Sequence, residues 1–168
     1  MNFFMTKSKP ELANLYFIFE LMITIHFPEP DFKIQQKDGQ PYIFDNIRKK
    51  WLLLQDEEWV RQNFINYLLK VKNYPKTIIA IEKEIQLGEL RKRFDILVFD
   101  KEHKPWMLIE CKAQGVKLNT GTFDQILRYN ISLPSKYLII TNGSQTFGWQ
   151  NTGKQLKEIN TLPDYTNS

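Results

Sequence analysis

Three charged residues fall where an apolar pattern would exclude them. Phe94–Phe99 (FDILVF) and Trp106–Cys111 (WMLIEC) each read as a short buried strand, apolar and partly β-branched. The first carries Asp95 near its start and the second Glu110 near its end, with Lys112 two residues further on. A carboxylate in an apolar strand is costly unless something pairs with it or binds it, and such a conflict marks a functional position. The stretch Asp100–Pro105 has the residues turns favour, so the strands form a hairpin. With Asp100 and Pro105 flanking the turn, Asp95 faces Glu110 at about 5 Å between Cβ atoms. Strand alternation then puts Lys112 on the face of Glu110 and turns Cys111 away. Facing carboxylates repel unless a proton or cation neutralises them. A hard divalent ion held by carboxylate oxygens, a backbone carbonyl and waters answers that repulsion, and Mg²⁺ is the usual choice.

A second pair lies on the element that follows. Thr122 can cap a helix running to Leu133 and ended by Pro134. Phe123, Ile126, Leu127 and Ile131 form its apolar face, while Gln125 and Tyr129, four apart, point away from it and are not explained by core packing.

The elements that must position these residues follow from periodicity. Short strands are expected at Phe32–Gln35, Pro41–Phe44 and Trp51–Leu54. Gln55–Lys72 is the clearest helix, with Val60, Phe64, Tyr67, Leu68 and Val71 on one stripe. Asp56, Glu57 and Glu58 in its first turn and Lys70 and Lys72 in its last suit the helix dipole. A strand over Thr77–Glu84 and a turn at Gly88 lead into the hairpin. Tyr137–Thr141 is a buried strand, Thr146–Gln150 a last short one, Thr152–Ile159 a helix or loop, and the tail from Thr161 is frayed. Helix, three strands, helix, strand implies an α/β fold in which an antiparallel meander feeds a parallel crossover strand.

Composition sets bounds on the whole. The 168 residues suit one domain with a real core, and the net charge of +4 is compatible with a polyanion partner. Basic clusters lie at Arg48–Lys50, Lys70–Lys76 and Arg91–Arg93. A lone Cys111 excludes an internal disulfide and a cysteine-based zinc site, and suits a reducing cytoplasm. The apolar run Leu15–Phe27 is 13 residues long and contains Glu20, too short to span a bilayer, so no membrane association is expected. Residues 1–26 are expected to be an N-terminal extension, with Met22 a candidate true start, and residues 27–168 the domain. The four tryptophans are expected in the core or covering the sheet.

Asp95, Glu110-Cys111-Lys112 and Gln125-x-x-x-Tyr129, in this order and on these elements, resemble the PD-(D/E)xK nuclease superfamily. From Phe27 to Tyr165 the chain is similar to the N-terminal nuclease domain of type I restriction enzyme R subunits. The stretches IFDNIRKKW, EEWVRQNFINYLL, KRFDILVFD, IECKA, TFDQILRYN and YLIITNG carry that likeness. Phe94 stands where the superfamily has its proline.

The resemblance implies a restriction-endonuclease-like three-layer core, a mixed central β-sheet flanked by α-helices. It also implies that Asp95 and Glu110 ligate Mg²⁺ with the backbone carbonyl of Cys111, Mn²⁺ being an acceptable substitute. Glu58 matches the family's first acidic position and would reach the metal through water; the residues alone equally suit a helix-dipole role or pairing with Arg61. Lys112 would orient or deprotonate the attacking water, and Gln125 and Tyr129 would position substrate or support the metal shell. The implied function is Mg²⁺-dependent hydrolysis of DNA phosphodiester bonds, in restriction, defence or repair. The alternatives are a catalytically inactive nuclease-fold module that binds DNA or a protein, and an RNA-cleaving enzyme on the same fold. No G-x-x-x-x-G-K-[ST] loop is present, so any motor or restriction-modification subunit is expected to be separately encoded.

Overall fold

Alternate residues of the central strands face two different helices, and this builds the layers. The computed structural model describes residues 21–87 and 90–165. A first hairpin sheet comprises β1 (Ile34–Lys37), β2 (Gln40–Asp45) and β3 (Lys50–Leu53). It is followed by α1 (Asp56–Lys70), a 3-10 turn at Lys76–Ile78 and β4 (Ile79–Ile81). A two-stranded ribbon, β5 (Glu84–Leu87) and β6 (Leu90–Arg93), precedes β7 (Ile96–Phe99) and β8 (Pro105–Cys111). Then come α2 (Thr120–Ser132), β9 (Tyr137–Thr141), β10 (Thr146–Asn151) and β11 (Leu156–Ile159).

The main sheet has the order β11-β10-β9-β8-β7-β4. Each neighbouring pair is antiparallel except β8 with β9, which run parallel because α2 carries the chain across. Ile96, Val98, Met107, Ile109 and Ile139 pack toward Val60, Phe64 and Leu68 of α1. Leu97, Leu108, Leu138 and Ile140 pack on the other side against Ile126 of α2. The fold is therefore the mixed sheet between helices that the sequence implies.

Local chemistry explains the boundaries. Asp38 and Gly39 both have positive φ (53° and 74°), the two-residue turn that favours Asp-Gly between tightly paired strands. Three acids open α1 and Lys70 closes it, after which Asn73, with φ 55°, and Pro75 prevent its continuation. Asn119 rather than Thr122 caps α2, its side chain accepting the Thr122 amide at 3.2 Å. Among the described residues, no helix is long and apolar enough to cross a membrane.

Several expectations are corrected. The strand foreseen over Thr77–Glu84 is a 3-10 turn and two short strands, broken at Glu82, whose φ is 46°. Gly88 lies outside the described residues. Thr152–Ile159, expected as helix or loop, is a turn over 152–155 followed by the edge strand β11. The tail is packed as far as Tyr165: Leu162 is buried, and the Tyr74 hydroxyl donates to the Pro163 carbonyl at 2.6 Å. Val71 and Ile131, assigned to apolar faces, are 45% and 79% exposed. Ile131 lies about 140° round the helix from Ile126, off the buried line. Of the tryptophans, Trp149 is buried but Trp51 is 39% exposed.

The residues before Phe27 also matter. Ile23 is buried, donates its amide to the Thr146 carbonyl at 2.8 Å, and packs in the core with Ile25 and Phe27 beside it. A Cβ on Gly148 would lie 2.9 Å from the Ile23 Cδ1, so the strand is bare there to receive it. The packed unit therefore begins before residue 27. Ile23→Ala is expected to lower unfolding free energy by about 2–4 kcal/mol in urea titration. An unchanged midpoint would mean the segment is a loose appendage.

Candidate active site

The C-terminal end of β8 gathers the predicted residues because four elements end there together. β7 runs antiparallel to β8 with Ile96 opposite Ile109, so Asp95, just ahead of β7, lies beside Glu110 and Cys111. The register assumed from the turn holds over Ile96–Val98, and a shift between Val98 and Phe99 leaves Trp106 as an extra residue in β8 and Phe99 opposite Pro105. Parallel β9 and the start of α2 lie at the same end, the edge at which open α/β sheets bind ligands.

Asp95 is anchored twice. One carboxylate oxygen accepts the Cys111 amide at 2.7 Å and the other the Arg61 guanidinium at 2.8 Å. Glu110, only 4% exposed, accepts the Lys112 ammonium at 2.8 Å and the Gln125 amide on the same oxygen, Oε1. Gln125 Oε1 in turn accepts from Lys112 at 3.1 Å, and its amide lies 3.4 Å from the Tyr129 hydroxyl. Asp95, Glu110, Lys112, Gln125 and Tyr129 thus converge as expected from the sequence, and Tyr129 also packs on the α2-side core.

The electrostatics follow from burial and neighbours. Burial, reinforced by the negative charge of Asp95, pushes the Glu110 pKa up to about 7, against the pull of Lys112. Burial opposes the Lys112 cation, yet its bond to Glu110 and the nearby acids outweigh that and raise its pKa. Lys112 therefore keeps its proton at neutral pH. Cys111 is fully buried and its thiol pKa is raised, by desolvation first and then by Asp95, so the thiol is inert here.

Glu58 sits apart from this cluster. Its oxygens accept from Arg48 at 2.9 Å, from Gln62 at 2.8 Å and from Arg61, whose other arm holds Asp95. Arg48 also pairs with Asp45 and Glu82, and Arg61 with Glu57 at 3.1 Å. Burial weakens the Arg61 cation, but Asp95 and Glu58 beside it more than compensate and raise its pKa. Burial likewise pushes the Asp45 carboxyl up, but bonds from the Arg48 main chain and side chain hold it below its ordinary value. Of this arginine network only the pairing of Glu58 with Arg61 was foreseen. Its one sequence signal is that Arg61 shares an apolar line with Phe64, Ile65 and Leu68 at three, four and seven residues' spacing, a charge in a buried stripe like Asp95 in its strand.

The donor set fits a hard, well-hydrated cation. Among the described residues, no group of three or more His, Cys, Asp or Glu has the geometry of a metal cage. Two carboxylates, Asp95 and Glu110, with open lone pairs on oxygens that already accept bonds, suit Mg²⁺. That ion uses one or two carboxylates and keeps waters. Their mutual repulsion, visible in the raised Glu110 pKa, is what a cation would relieve.

A mixed sheet between two helices, with an acid ahead of one strand and Glu-x-Lys ending the next, is the arrangement expected of a restriction-endonuclease-like fold of PD-(D/E)xK type. The chain belongs to the family of the type I restriction enzyme R protein N terminus, whose profile matches residues 56–163, more than half of its length. A crystal structure of a candidate nuclease of family DUF820 from Anabaena variabilis ATCC 29413 is similar at 12% identity and a TM-score of 0.44, covering 79% of each chain. No curated protein matches the sequence.

Two outcomes are expected. In metal-free buffer, native Glu110 keeps its proton to about pH 7 while the unfolded side chain loses it near 4.5. The folded state binds more protons between these values, so this contribution is complete below pH 4.5 and is lost as pH rises through 7. Glu110→Gln should therefore gain stability over the parent at pH 8 relative to pH 5 in urea titrations, and parallel pH profiles would contradict the raised pKa. Arg61→Met leaves Glu58 and Asp95 without their shared cation and should cost about 3–5 kcal/mol by the same measurement.

Proposed function

We propose that this chain is a Mg²⁺-dependent nuclease that hydrolyses DNA phosphodiester bonds. The observation that carries the reading is the convergence of Asp95 and Glu110 with Lys112 and Gln125 at one sheet end. Asp95 and Glu110, with the backbone carbonyl of Cys111, would hold the ion. When bound, it would supply Lewis-acid polarisation of the phosphate and a lowered pKa for the attacking water. Lys112, held cationic by Glu110, would orient that water and stabilise charge growing on the phosphate. Gln125 fixes the Lys112 and Glu110 side chains against each other, and Tyr129 supports Gln125. Glu58 acts one step back, through Arg61, by keeping Asp95 in place.

The basic excess of the chain would draw in the DNA backbone. A cytoplasmic setting, and a separately encoded motor or restriction-modification subunit as partner, complete the proposal for a role in restriction, defence or repair.

Cleavage of plasmid and linear DNA with Mg²⁺ or Mn²⁺ tests this. Asp95→Ala, Glu110→Ala and Lys112→Ala should each lower the rate by roughly 10²–10³-fold, the usual cost of losing one transition-state contact. DNA binding with no metal-dependent cutting would replace the proposal with an inactive binding module. Cutting of RNA alone would move the substrate class.

A further inference from the structure

The outward face of the β1–β3 sheet takes no part in the site described above. Ile43 and Asp45 are buried on its inner side, so Tyr42 and Phe44 project outward between them. The register sets Phe44 against Trp51 and Tyr42 against Leu53, which places all four side chains on the outer face. Phe44 and Trp51 meet edge to face at 5.3 Å, yet Trp51 remains 39% exposed and Leu53 36%. The Lys33 ammonium stands 5.9 Å from the centre of the Phe44 ring.

Charge on this sheet has one dominant sign. From Lys33 to Leu53 the exposed charged side chains are Lys33, Lys37, Lys49 and Lys50, against Asp38 alone. Lys76 joins them, donating to the Asn46 carbonyl in the β2–β3 turn. Desolvation and the adjacent Lys49 ammonium together hold the Lys76 pKa below its ordinary value. Two crowded cations at an exposed turn, beside the exposed Trp51 and the half-buried Tyr42 and Phe44, suit a ligand that carries both anionic groups and flat apolar surfaces.

We propose that this face binds single-stranded DNA, its rings stacking on unpaired bases while Lys33, Lys49 and Lys76 engage the phosphates. A duplex hides the faces of its bases, whereas a single strand presents them to aromatic side chains. A protein partner fits less well, because lysine is depleted from protein interfaces and here lies among the rings. The turn carrying Lys49 also sends Arg48 inward to Glu58, and Arg61 continues that contact to Asp95. The β2–β3 turn thus links the edge of the platform to the acid network. The choice of DNA rests on the nuclease reading, while the platform itself rests on the rings and lysines.

The test is fluorescence anisotropy of a labelled oligo-dT and of a duplex of equal length, in EDTA so that nothing is cut. The oligo-dT should bind more tightly than the duplex. Trp51→Ala should weaken that binding by roughly tenfold, the scale of one lost stacking contact. Lys33→Glu/Lys49→Glu, which leaves the rings in place, should weaken it at least as much and flatten its salt dependence. Equal affinity for parent and both variants would overturn the proposal, as would self-association abolished by Trp51→Ala, which would make the face a contact between copies. Oligonucleotide binding without cleavage in Mg²⁺ would refute the nuclease reading alone, and cleavage with binding indifferent to both variants would refute the platform alone.

Discussion

Carboxylates brought together inside a protein must be neutralised, and this fold neutralises them in two different ways. Arg48 and Arg61 serve Asp45, Glu58 and Glu82, and Arg61 reaches on to one oxygen of Asp95. Arginine suits the task because its planar fork donates in several directions and its charge survives burial. Glu110 lacks such a partner. It has Lys112, itself half engaged by Gln125, and it compensates by holding a proton to about pH 7. The contrast marks the site: Asp45, Glu58 and Glu82 are neutralised by arginine, Asp95 gives arginine one oxygen, and Glu110 beside it is left between proton and ammonium.

The architecture makes that contrast possible. Strands β7 and β8 are buried on both faces, so their interiors admit only apolar side chains and the charges are driven to the strand ends. The parallel crossover through α2 then returns the chain above the same end, which brings Gln125 over Glu110. The first sheet contributes from the opposite side, where the β2–β3 turn delivers Arg48 into the interior and leaves Lys49 in solvent. One short turn thus serves both the buried acid network and the exposed aromatic face.

Much of this was legible from residue order. The strand pattern interrupted by Asp95 and Glu110, the period-two placement of Lys112 and the four-residue spacing of Gln125 and Tyr129 are local properties, fixed by backbone geometry once strand and helix form. They located the candidate site and raised the expectation of a hard cation there. Thr152–Ile159 was less legible because a short edge strand has weak periodicity and gains its identity from the neighbour it pairs with, here β10. Ile23 was misplaced for a related reason: its burial depends on the bare backbone of Gly148, far away in the chain.

By itself the sequence determined the layers, the crossover and the set of acids and donors at the sheet end, since each follows from side-chain period along one element. Only the tertiary structure decided which acid is paired and which is poised. Glu58 reads as an acid like the others, but it lies within reach of two arginines, one from its own helix and one from a turn ten residues before it. Asp95 receives its cation from a helix 34 residues earlier. Ion pairing depends on distances of a few ångströms between segments whose separation in the chain carries no information about their approach, and so which acid meets which cation appears only on folding.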